Sequence, residues 1–291
     1  MRSIRIPILL ILFLILLIPS LGEAQKKVLV SRYIKGPIPL EPWSPVWAKV
    51  PAVDVPLLAQ AIAKPLNLDP SIKSVSVKSV HNGTWIAFFI TWKDPTKDAV
   101  MRTDRFRDAV AVQIPVRGPT AITMGQGGKP VLILHWKADW QEDIDKGFMD
   151  VGRLYPNFWI DWYPFVTGEP PYEITYWTNI EAQRYLTGWV LGNPRSQPVK
   201  RIAVEEQIAE GFGTLTTNFK QSAAGSGVYA EARWRVVIAR PFSAGDPNDP
   251  DWGPGRETTV AFAAWDGGKG EMGSRKAFSD WLTLRINPVG R

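Results

Sequence analysis

Hydrophobic positions recur at every second residue over much of this chain. In "SIKSVSVKSV" (71–80) and "GTWIAFFITWKD" (83–94) the alternation predicts two half-buried strands, and Asn82-Gly83 between them predicts a tight hairpin turn. The same period runs through "DAVAVQIPV" (108–116), "PVLILHWKADW" (130–140), "EITYWTNI" (173–180), "ETTVAFAAWDG" (257–267) and "DWLTLRINP" (280–288). "GVYAEARWRVVIARPF" (227–242) reads as one strand with Val228, Ala230, Ala232, Trp234, Val236 and Ile238 on a common face. Only "DVPLLAQAIAKPL" (54–66) and "AVEEQIAEGFG" (203–213), the latter stopped by Gly211, read as short helices. Six prolines between Ser31 and Leu57 predict an extended segment that wraps the surface, with little regular structure before Ser71. The expected fold is therefore mainly β: an antiparallel β-sandwich with long loops and a few short helices, built by residues 25–291 as one domain.

The period fails at the N-terminus. Arg2 and Arg5 precede thirteen apolar residues (6–18), followed by Pro19 and the small-x-small triplet Gly22-Glu23-Ala24. This is the layout of a secretory signal peptide spanning 1–24, and it predicts an exported, periplasmic or extracytoplasmic protein that is not integral to the membrane after cleavage. The rival reading is a retained anchor, although thirteen residues fall short of the ~20 that a spanning helix needs.

Composition narrows the chemistry. No cysteine is present, which excludes disulfides, thiolate metal sites, cysteine nucleophiles and covalent haem attachment through C-x-x-C-H. With only His81 and His135 there is no site of several histidines. The formal net charge of +6, or +5 after loss of Arg2, Arg5 and Glu23, is spread along the chain and forms no cluster of the nucleic-acid-binding type.

Hydrolysis finds little support. There is no G-x-S-x-G elbow, His81 reads as a turn residue, Glu205 and Glu206 read as solvated on a helix face, and Asp139, Asp143 and Asp145 lack the spacing of a calcium loop. Eleven aromatic residues between Tyr155 and Trp189 ask for something flat or large to cover, as on a carbohydrate-binding β-sandwich module. A non-covalent haem pocket is the third option. Its available soft ligands are methionines (Met101, Met124, Met149 and Met272, besides Met1), joined by an amine if burial keeps one neutral.

Four stretches carry a family resemblance: "HNGTWIAFFITWKDPTKD" (81–98), "DRFRDAVAVQIPV" (104–116), "TMGQGGKPVLILHWKADW" (123–140) and "GSRKAFSDWLTL" (273–284). In that order they resemble the haem-b-binding gamma subunits of periplasmic molybdopterin oxidoreductases, of the ethylbenzene dehydrogenase, dimethyl sulfide dehydrogenase, chlorate reductase and selenate reductase type. The resemblance implies one non-covalent haem b whose iron is ligated by Met124 and Lys276. It also implies an electron-transfer role without catalysis, beside iron–sulfur (beta) and molybdopterin (alpha) subunits and an external carrier such as a c-type cytochrome. On this reading Gly125, Gly127 and Gly128 admit the macrocycle, Phe278 and Trp281 keep the Lys276 amine dry, Arg275 partners a propionate, and His135 packs beside the pocket or ligates in its own right. Met272, in a second Met-Gly pair, competes with Met124 as the sulfur ligand, and the aromatic segment 155–189 remains for a second role such as docking.

Overall fold

Strands form where the two-residue period predicts them, and several are more continuously apolar than that period requires because they are covered on both faces. The computed structural model describes residues 27–149, 151–155, 157 and 185–290, so the N-terminal segment 1–24 and the strand expected over 173–180 lie outside the described residues. In chain order the strands are β1 (Val28–Tyr33), β2 (Val53–Pro56), β3 (Ser74–His81), β4 (Trp85–Lys93), β5 (Ala109–Pro115), β6 (Val131–Lys137), β7 (Val204–Ala209), β8 (Thr216–Thr217), β9 (Ala224–Tyr229), β10 (Arg233–Pro241), β11 (Glu257–Trp265), β12 (Ala277–Phe278) and β13 (Leu282–Ile286). Pairing runs β8-β7-β6-β5-β11-β13-β1-β3-β4-β10-β9, with β2 on β3 and β12 on β11. All pairs are antiparallel except those of β1, which runs parallel to both β13 and β3.

β11 serves two layers. Its Glu257–Val260 half pairs with β13 and its Ala261–Trp265 half with β5, so the sheet passes at mid-strand from one layer to the other. The layers face each other across an aromatic core: Trp136 of β6 lies 6.4 Å from Trp92 of β4 and 5.0 Å from Trp234 of β10, between ring centroids, and Phe88 lies 6.3 Å from Phe262. Such edge-to-face pairs add to the burial of large rings. Gly227 makes room for one of them, since a Cβ there would meet Trp136 at 2.2 Å. On the far side of β4 and β10, Trp47 of the proline-rich segment stacks on Phe89 at 5.2 Å, which explains why "AFFI" breaks strict alternation.

Four local expectations are corrected. Residues 54–66 form no helix: Val53–Pro56 pairs with β3 as β2, and a loop follows. Residues 203–213 form β7, because the two glutamates find cations on opposite faces of a sheet: Glu206 pairs with the buried Arg240 at 2.9 Å, and Glu205 pairs with the buried Lys137. Helix propensity is a weak prior against such partners. Residues 227–242 form two strands, broken by Glu231 and Ala232 at φ +55° and +49°, and Ala230 and Ala232 belong to the turn. The strand begun at Val131 ends at Lys137, where helix α1 (Ala138–Lys146) takes over. Among the described residues no helix is long and apolar enough to cross a membrane.

Candidate cofactor pocket

The layer β5–β6–β7–β11 is covered on its second face by loops that leave a cavity of about 600 Å³, within the roughly 300–1,000 Å³ of ordinary ligand sites. Successive side chains of a strand point to opposite faces, so residues alternating with the core set form the floor. Ala109 and Ala111 of β5 and Ala261 and Ala263 of β11 line it, and these minimal side chains are what leaves a broad space over the sheet. Ile133, His135, Gln207 and Trp265 complete that face.

Lys276 lines the cavity just before β12. Its amine makes no hydrogen bond or ion pair with a described residue and lies 6.0 Å from the centroid of the Trp265 ring. Burial alone pushes its pKa from 10.5 down to about 8. The turn that carries it is held from several sides. Trp265 Nε1 donates to the Gly273 carbonyl (3.0 Å), Gln60 Nε2 donates to the Ser274 carbonyl (2.8 Å), and the Glu271 carboxylate accepts from Asn67 Nδ2 (2.9 Å) and the Asp266 amide (3.0 Å). Phe278 lines the cavity as expected. Trp281 instead packs against the Ala109–Ala111–Ile133–Trp265 cluster that Met124 also covers, and donates to the Thr120 carbonyl (3.1 Å).

Met124 lies in the same lining, half-buried against Ala109, Ala111, Ile133 and Trp265. Its backbone is left-handed, φ +66°; the other two non-glycine residues with positive φ among the described residues, Glu231 and Ala232, form the β9–β10 turn. A bulky residue held in this region is strained unless its surroundings fix it. Here Gly211 donates to the Met124 carbonyl at 2.7 Å. Met272 also reaches the lining, but it is 45% exposed. The neighbouring glycines do not admit a ligand: a Cβ at Gly125 would meet the Ala209 and Lys129 carbonyls at 2.9 Å, and Gly127 and Gly128 lie outside the lining. Gly125 is needed for the approach of backbone to backbone.

His135 lines the floor, stacked on Trp265 at 4.8 Å, with Nδ1 3.3 Å from Gln207 Oε1. Gln207 Nε2 donates to Glu205 at 3.0 Å, which orients the amide so that Nδ1 carries the imidazole proton and Nε2 is a bare lone pair. That Nε2 is buried without a partner. Burial, then the charges of Lys137 and Arg107, hold the ring well below its usual pKa, so it is neutral. His81 is no turn residue: it ends β3, fully buried between Tyr33 and Phe242 and away from the cavity.

The cations at the cavity differ from expectation. Arg275 is exposed and outside the lining; Arg107, Arg195 and Lys64 line it instead. Arg107 is anchored on Asp139 at 3.0 Å and Arg195 on Glu205 at 2.9 Å. Burial pushes Glu205 up, but the Lys137 charge and hydrogen bonds from Arg195, Lys137 and Thr217 outweigh it and hold the carboxyl at about 2. Glu205 and Lys137, taken for a solvated acid and a strand residue, thus form a buried charged bed behind Gln207 and His135. Alternating alanines in "DAVAV" and "VAFAAW" were the available sign of the floor. No local pattern marked Arg107 or Arg195.

A cavity offering a soft sulfur, an unpartnered amine, an orphaned imidazole nitrogen and anchored cations around an apolar floor suits a large flat metal complex with acidic groups. The family model described as ethylbenzene dehydrogenase matches residues 44–169 and 199–277. The chain is 26% identical to a putative respiratory nitrate reductase heme subunit of Haloferax mediterranei over 94% of its length and 80% of the relative's. It is 24% identical to the chlorate reductase subunit gamma of Ideonella dechloratans over 92% of its length and 87% of the relative's. Among solved structures, a family 9 carbohydrate-binding module from Caldicellulosiruptor kristjanssonii in complex with glucose aligns with a TM-score of 0.43 and 10% identity, covering 90% of this chain and 96% of that one, a level that bears on neither ligand nor mechanism. With the family model matched over both layers of the sandwich and the cavity between its loops, the chain belongs to the ethylbenzene dehydrogenase family, the gamma-type subunits that its motifs resemble.

Proposed function

We propose that this chain is an exported haem-b-binding subunit that relays single electrons within a respiratory oxidoreductase complex. The observation that carries the reading is Lys276, a cavity-lining amine without a partner among the described residues, whose pKa burial lowers to about 8, in the same lining as Met124. Buried amines are ordinarily paired, and one left alone and easily deprotonated is suited to a metal. When bound, the haem iron supplies a one-electron couple.

The protein's own residues do the rest. Lys276 and Met124 offer an amine and a thioether, and a thioether raises the potential by favouring reduced iron. Two protein ligands leave no open position for a substrate, which suits relay and not turnover. Arg107, Arg195 and Lys64 supply positive charge for the carboxylates of the cofactor, in the role first expected of Arg275. The alanine floor accepts a flat ring, and Trp265 and Phe278 exclude water from the amine. The electron-transfer partners are an iron–sulfur subunit, a molybdopterin subunit and an external carrier such as a c-type cytochrome; the names of the nitrate and chlorate reductase relatives support a place in such an assembly. The signal-like segment 1–24 supports a periplasmic location.

Optical spectra of the purified or haem-reconstituted chain test the reading. The expected result is a low-spin haem Soret band that Lys276→Ala and Met124→Ala each alter. A protein that takes up no haem, or a spectrum indifferent to both substitutions, overturns it, and glycan binding by a colourless protein would install the carbohydrate-binding alternative.

A further inference from the structure

We infer that Asp94, Asp108 and Asp266 form a binding site for one hard divalent cation of calcium's size, apart from the cavity's own ligands. One carboxylate oxygen from each lies within 4.8 Å of the others, and all three residues are at most 2% exposed. No ion pair to a described residue involves any of them. A buried carboxylate trio without a counter-charge is costly, and cations are among the few groups that repay it.

Two further observations point to a ligand. Asp94 Oδ2 is buried and, among the described residues, has no hydrogen bond of ordinary geometry, the Trp92 indole N–H being near enough only to draw its pKa down. Gly268 also marks a crowd of oxygens, since a Cβ there would meet Asp98 Oδ2 at 2.7 Å, Thr96 Oγ1 at 2.8 Å and Asp266 Oδ1 at 3.3 Å. Four of the other five carboxylate oxygens are oriented by fixed donors. Asp108 Oδ2 accepts from the Asp98 amide (2.7 Å) and Trp234 Nε1 (2.9 Å), Asp108 Oδ1 from the Gly267 amide (2.9 Å), Asp94 Oδ1 from the Thr96 amide (3.1 Å) and Asp266 Oδ1 from the Lys269 amide (3.1 Å). A set of oxygens with no nitrogen or sulfur selects calcium-like ions, whose oxygen ligands stand about 2.4 Å from the metal and so up to about 4.8 Å apart.

The position has a purpose. Asp94 follows β4, Asp108 precedes β5 and Asp266 follows β11, so one ion would fasten together the loop 94–108, which brings Met101, Phe106 and Arg107 to the cavity, and the loop 266–276, which brings Glu271 and Lys276. The cation is then a clamp on the pocket wall. In its absence, burial and then the Asp94 charge push Asp108 up to about 8, and burial and then Asp266 raise Asp94 to about 6, so protons are the rival occupants.

The test uses the haem-free chain stripped with EGTA, so its outcome stands whether or not the cavity holds haem. Calcium chloride at about 100-fold above its Kd is expected to raise Tm by roughly 5–10 °C, with one ion per chain by calorimetry and a much smaller effect of magnesium at equal concentration. Asp94→Asn keeps the acceptor for the Thr96 amide; it is expected to weaken calcium binding at least tenfold while unfolding no lower than the stripped wild type. Two results overturn the site: no calcium-dependent change in Tm or heat for the wild type, which leaves a proton-bridged cluster, or calcium binding undiminished in Asp94→Asn.

Discussion

Lys137 and Lys276 lie at the same layer of the sandwich, the first fully buried and the second partly so, and desolvation pushes both down to about 8. They differ in company. Lys137 closes on Glu205, which Arg195 and Thr217 also hold, and its amine lies 3.9 Å from the Trp140 ring centroid. Lys276 has the Trp265 ring and, among the described residues, no acid. The first is a charge made tolerable by structure, and the second is a charge the fold discourages. A depressed lysine is therefore informative only together with its partners: one shift describes an ion pair under load, the other an amine that gives up its proton readily.

The comparison is tested first where the effect is largest. Lys276→Ala should abolish stable low-spin haem binding, lowering affinity by more than the roughly 10–100-fold typical of groups around a ligand, as read by Soret titration. If Lys137→Ala has that effect and Lys276→Ala does not, the two roles are reversed. Next, Lys137→Met should destabilise by about 3–5 kcal/mol in denaturant melts, because it leaves Glu205 buried with one cation fewer, and Lys137→Met with Glu205→Leu should recover much of that loss. Lys276→Met should stabilise the haem-free protein at neutral pH, having no acid to strand.

pH separates the two lysines further. The Lys276 pKa is lowered from 10.5 to about 8 on folding, so its unfavourable contribution to the apo-protein is relieved as pH rises through that window. Wild-type Tm should therefore climb between those values relative to Lys276→Met, and a parallel pair of curves would show that the amine is hydrated. Below about 8 a proton competes for the same lone pair, so haem affinity should fall toward tenfold per pH unit. Among the smaller effects, Met124→Ala should lower the reduction potential while the half-exposed Met272→Ala leaves it in place; the opposite result moves the sulfur ligand to Met272. Arg275→Ala, on an exposed side chain outside the lining, should change stability by no more than about 0.5 kcal/mol and leave the spectrum as it is.

Much of the fold was legible because alternation is a local property. β3 to β6 and β11 are where the period of two places them, and Asn82-Gly83 turns the first hairpin, with the Asn82 side chain accepting from the Thr84 and Trp85 amides at 3.1 and 2.9 Å. β7 was not legible: "AVEEQIA" has helix-favouring residues, and it takes Lys137, Arg195 and Arg240, brought in by the tertiary fold, to make a strand with glutamates on both faces tolerable. The break at Glu231 and Ala232 was hidden because small residues continue an alternating pattern as well as they turn it.

For the site, Met124, Lys276 and His135 were found as residue types in recognisable contexts, and all three line one cavity. Arg275 was chosen by adjacency, yet it leaves the turn exposed while Lys276 lines the cavity, and the cations that reach the cavity come from the loop after β2, from the loop before β5 and from the segment after Thr187–Val190. Fold class, the absence of cysteine chemistry and the candidate soft ligands were legible in sequence alone, since each depends on composition or on neighbours a few residues apart. Which amine stands unpaired, which methionine is held in a left-handed turn, and where three aspartates meet were decided only by tertiary structure, because burial and charge pairing are properties of what strands far apart in sequence bring together.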